Sequence, residues 1–127
     1  MRRDINGREV KSILKKYYPQ AEFRVRIKKA GFDKTLEIRT DLLRYTREVA
    51  ERHYKLEWKL RREGELRGKE SEEYNFYEEL QVQDEQMKDR IRKVLRKHGI
   101  EEYIRRDQVT GEILLGCNLY IDIKPLE

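Results

Sequence analysis

Arg24, Arg26 and Lys28 alternate with Phe23, Val25 and Ile27, and Arg39 follows Leu36 and Ile38 after a short turn. In extended chain, successive side chains point to opposite faces. If the apolar set faces a core, the four cations share the other, open face. Leu119, Ile121 and Ile123 alternate with Tyr120, Asp122 and Lys124 in the same way, which would add Tyr120 and Lys124 to that face. Guanidinium and ammonium groups around an aromatic ring are suited to gripping phosphates and stacking on bases. Lys11 and Lys15, with Arg8, fall at helical spacing and extend the basic set. Arg2 and Arg3 precede them as an arm. The competing reading is solvation: a polar protein clothes its strands in Lys and Arg, and Arg39 pairs with Glu22 or Glu37.

Catalytic chemistry has little to work with. The chain holds two histidines, one cysteine, and serines only at positions 12 and 71. None stands in a familiar nucleophile or metal spacing, and no glycine-rich phosphate loop occurs. Glu72/Glu73 and Glu78/Glu79 could in principle hold a cation or move protons, but on a helix such pairs read as a solvated face. His53 falls on an apolar stripe. His98 ends a helix, where a cation complements the dipole. Cys117 reads as a small buried residue. No catalytic residue, metal or cofactor is therefore expected.

Charge is distributed unevenly. Residues 1–40 carry twelve Lys/Arg against five Asp/Glu, whereas residues 71–87 carry six acids and no base, within a net charge of +5 for 127 residues. A basic front end suits an anionic partner, either nucleic acid or an acidic protein surface. The lone cysteine and the lack of an apolar run near the ~20 residues of a membrane span point to a cytoplasmic protein with no membrane partner.

The elements that must position these residues follow from periodicity. Asn6 caps a first helix over 7–18 that Pro19 stops, and strands 21–29 and 36–39 form a hairpin around Gly31. Asp41 caps a second helix reaching residue 63, with Leu42, Tyr45, Val49, His53, Leu56 and Leu60 as its stripe. A polar linker near 63–70 leads to a third helix, 71–98, capped by Ser71 and closed by Gly99. Asp84 interrupts its apolar stripe, so either the helix breaks or shifts near 81–85 or Asp84 faces solvent at its edge. Tyr74 and Tyr77 fit core packing or a contact anchor. Strands near 103–106, 113–115 and 119–124 complete the chain. The expected fold is a single α+β domain over 1–127, in the order α-β-β-α-α-β-β, with an antiparallel sheet and helices on one face.

The string Leu14-Lys15-Lys16-Tyr17-Tyr18-Pro19, then Phe23-Arg24-Val25-Arg26 and Leu36-Glu37-Ile38, resembles the start of a small α+β domain found in large polyvalent proteins of phages and conjugative elements. In that family a helix ending at an aromatic-Pro step leads into a two-stranded hairpin. The match covers residues 8–40. Where the family continues with a Thr-Asp-Gly-Pro-like turn, this chain has Thr40-Asp41-Leu42-Leu43. The resemblance implies a mobile-element protein that accompanies invading DNA, and hence an inhibitor of host defence such as a CRISPR-type nuclease. It brings no catalytic residues.

The functional expectation is a non-enzymatic protein that engages nucleic acid, or a nucleoprotein or host-defence complex, through its basic front half. The alternative is a protein-interaction module or homodimer that uses helices 41–63 and 71–98, with Tyr54 and Trp58 on a second apolar surface.

Overall fold

The computed structural model describes residues 5–127, so Arg2 and Arg3 lie outside the described residues. Three helices and three strands follow in the order α1 Gly7–Tyr17, β1 Phe23–Ala30, β2 Asp33–Thr40, α2 Arg47–Glu63, α3 Lys69–Lys97 and β3 Leu119–Pro125. The class is α+β, as expected. The order α-β-β-α-α-β-β is not met in its last steps, and the sheet is mixed rather than antiparallel. β2 is central, antiparallel to β1 and parallel to β3.

The front of the chain forms where its periodicity places it. Asn6 Oδ1 accepts from the amide of Arg8 at 2.8 Å and caps α1. The β1–β2 connection is the two-residue turn Gly31-Phe32, with Gly31 at φ +61°. Positive φ at the first turn position followed by an ordinary residue matches the strand twist and is cheap only for glycine.

Two helix starts differ from the periodic reading. Residues 41–46 are a turn, and Thr46 caps α2 by accepting from Val49 N. Asp41 instead accepts from the amide of Glu22, tying the entry of β1 to the exit of β2. α3 starts before Ser71, with Gly68 at its N-cap and no side-chain cap bond. It is also continuous through residues 81–85. Asp84 neither breaks it nor faces solvent: it is 5% exposed, and its carboxylate accepts from Arg44 N at 3.0 Å and Tyr45 N at 2.7 Å. A buried carboxylate is tolerated when charge-assisted bonds satisfy it, and here it fixes the turn that launches α2 onto α3.

The expected strands at 103–106 and 113–115 reduce to two isolated bridges, Tyr103 with Leu119 and Arg106 with Ile113. Asp107 bends this segment by accepting from Val109 N and Thr110 N, which holds its carboxyl below the usual range. Turn chemistry thus displaces the C-terminal hairpin, and β3, arriving after the α2–α3 crossover, pairs parallel to β2. Cys117 is exposed, not buried, and sits at φ +60°. Asn118 and Asp33 anchor the approach to β3: Asp33 Oδ1 accepts from Gly116 N and Asn118 N, and Asn118 Oδ1 accepts from Arg105 N.

One core joins α1, the sheet and the C-terminal half of α3. Val10, Leu14, Leu36, Ile38, Ile91 and Leu95 are wholly buried there, beside Phe23, Ile121 and Ile123. Each such side chain contributes about 1.5–3 kcal/mol by leaving water. α2 packs along α3. Tyr77 is buried in this packing, which decides for core over contact anchor. No described helix is long and apolar enough to cross a membrane.

Candidate nucleic-acid interface on the open sheet face

With Phe23, Leu36, Ile38, Ile121 and Ile123 turned to the core, alternation sends the intervening residues of all three strands to the opposite face. The register aligns them in rows. Arg24, Arg39 and Lys124 are neighbours across the strands, then Arg26, Glu37 and Asp122, then Lys28, Thr35 and Tyr120. Five cations, two carboxylates and one tyrosine therefore occupy a surface about 10 Å across the strands and about 13 Å along them. The expected residues Arg24, Arg26, Lys28, Arg39, Tyr120 and Lys124 come together there. Lys11 and Lys15 do not, because α1 lies on the core side of the sheet. Lys15 is also committed, donating to the carbonyls of Pro19 and Ala21.

Glu37 organises the face. Its side chain is 4% exposed, and Lys28 Nζ approaches at 2.7 Å, Arg39 Nε at 3.1 Å and Lys124 Nζ at 3.8 Å. The hydrogen bond from Lys28 is the largest cause of a carboxyl pKa lowered to about 2; burial opposes it, and Arg39 adds to it. Solvation of this face by local pairing is thus partly realised. Arg39 bonds Glu37, while Glu22 pairs with Arg24 at 3.5 Å, both side chains being exposed. Arg26 has no ion pair among the described residues. The same alternation that marks Arg26 as outward marks Glu37 as outward, so the central carboxylate was readable from sequence; its saturation by three cations was not.

A second polar cluster lies between α2 and α3, where sequence assigned His53 only a place on a stripe. His53 is 6% exposed, with Nδ1 at 2.6 Å from the Tyr45 hydroxyl and Nε2 at 2.9 Å from Glu78. Burial, aided by Glu78 and Glu57, raises the Tyr45 pKa, so its O–H stays protonated and donates to Nδ1. His53 Nε2–H then donates to Glu78. The Tyr74 hydroxyl and His53 together hold the Glu78 carboxyl below its usual range. Tyr45, His53 and Glu78 border a shallow groove of 680 Å³ with Arg47, Tyr54 and Lys55. The order hydroxyl–imidazole–carboxylate is that of a nucleophilic triad, but a phenol pushed upward is the wrong direction for a phenolate nucleophile. The cluster couples two helices. Glu72, Glu73 and Glu79 stay exposed, and no group of three or more potential ligands gathers for a metal among the described residues.

No family model, curated protein or solved structure matches this chain.

Proposed function

We propose that the chain is a non-enzymatic binding protein that engages nucleic acid through the open face of its sheet. The observation that carries this reading is the register that gathers Arg24, Arg26, Lys28, Arg39 and Lys124 on one uncovered surface around Glu37, with Tyr120 at its β3 corner. Two carboxylates do not neutralise five cations, and Arg26 at the edge strand, with no ion pair among the described residues, is available to an external anion. Phosphate contact of this kind supplies affinity without sequence dependence. The finer reading, a cytoplasmic mobile-element protein acting on a nucleic-acid-guided host-defence complex, follows from the resemblance of residues 8–40 and adds a nucleoprotein as the setting in which the face works.

An amide NMR titration with a short single-stranded oligonucleotide tests the site. Shifts should concentrate at 24–28, 37–39 and 120–124. Shifts confined to 47–63 would transfer the interaction to the helical pair. That second reading, a protein-docking or homodimer surface, is favoured by Tyr54 and Trp58, which lie four residues apart on α2 and are 64% and 54% exposed.

A further inference from the structure

The open face is not uniformly basic; it is polarised across the sheet. β1 presents only cations, Arg24, Arg26 and Lys28, at every second residue. β3 presents Tyr120 and Asp122 before Lys124. Along β1 the cations recur about every 6.7 Å, two strand residues. This matches the separation of consecutive phosphates in an extended nucleic-acid strand. From β1 to β3 is two strand spacings, about 10 Å, comparable with the reach from a phosphate to the outer edge of its own base. A duplex stacks its bases inside and shows only their groove edges, so it offers no ring face to Tyr120.

Taking nucleic-acid binding as the function of this face, we propose that it holds a single strand with its phosphates along Arg24, Arg26 and Lys28 and its bases over β3, where Asp122 selects bases bearing an exocyclic amino group. Lys28 keeps donors for a phosphate while bonded to Glu37, since an ammonium has three. Tyr120 is half-buried and offers a ring to stack on. Asp122 has one oxygen 3.0 Å from Lys124, leaving the other to accept, and its side chain is 44% exposed. A carboxylate accepts from the amino group of cytosine, whereas the corresponding oxygen of uracil or thymine meets it acceptor to acceptor. Glu37, saturated and 3% exposed, does not compete for the base.

The test is fluorescence anisotropy of labelled oligocytidine and oligouridine of equal length at one salt concentration, on the wild type, Asp122→Asn and the Arg24→Ala/Arg26→Ala double variant. The wild type should prefer oligocytidine about tenfold, the scale of one well-made base contact. Asp122→Asn should erase that preference, because an amide can accept from cytosine or donate to uracil, and the double arginine variant should weaken both ligands alike. Equal affinities in the wild type, or a preference untouched in Asp122→Asn, would overturn the assignment while leaving phosphate binding intact. Failure of both oligonucleotides to bind would overturn the inference and the function it rests on.

Discussion

At the scale of the residue, two buried carboxylates do work that composition hides. Glu37 stays on the outward face of the sheet but is buried there beneath the cations that pair with it. A carboxyl shifted from 4.5 to about 2 sets an upper bound of about 3 kcal/mol of stabilisation; with partners one-third to one-half exposed, screening reduces this to about 1–2 kcal/mol. Because the folded-state pKa is the lower one, this stability is present in full above the unfolded value near 4.5 and is lost as pH falls toward 2. Urea denaturation of Glu37→Gln should therefore show a deficit of about 1–2 kcal/mol at neutral pH that closes near pH 2; a deficit constant with pH would mean a packing role instead. Asp84 satisfies two backbone amides in the α2 entry turn. Asp84→Ala orphans both and should cost about 2–3 kcal/mol, with Asp84→Asn milder because one oxygen remains. Periodicity flagged Asp84 as an anomaly but could not find its partners, which lie some forty residues away on the chain.

At the scale of the element, what sequence makes legible is face, and what it leaves open is partner. Alternation assigns inward and outward residues of all three strands correctly because side-chain direction is local. Strand direction is not local. β3 reads identically whether parallel or antiparallel, and only the crossover through α2 and α3 decides it. The 103–115 segment misleads in the opposite way: its apolar residues suggest strands, yet Asp107 turns the chain and Leu115 stays 85% exposed. On α2, Tyr54 and Trp58 are too exposed to support the core, so replacing both with Ser should change unfolding free energy by no more than about 0.5 kcal/mol. Sedimentation of the unmodified chain at high concentration belongs beside that measurement. The sheet-face account expects monomer, and a dimer lost in the Tyr54/Trp58 variant would favour the helical surface.

At the scale of the molecule, the basic front half of the chain resolves into parts with different fates. Lys15 is spent on the α1–β1 turn, and Lys28, Arg39 and Lys124 are tethered to Glu37. Arg24 and Arg26 remain the most available for an external anion. A net charge counted along the sequence could locate the basic region but not this division, which depends on which side of the sheet α1 occupies. The most direct measurement is the affinity for a labelled single-stranded oligonucleotide across a salt series, comparing the wild type with the Arg24→Ala/Arg26→Ala variant. With about three phosphates engaged, log affinity against log salt should fall with a slope of about −2, and the variant should bind more weakly with a slope shallower by about 1–1.5. Affinity and slope unchanged in the variant would contradict the sheet face as the binding site.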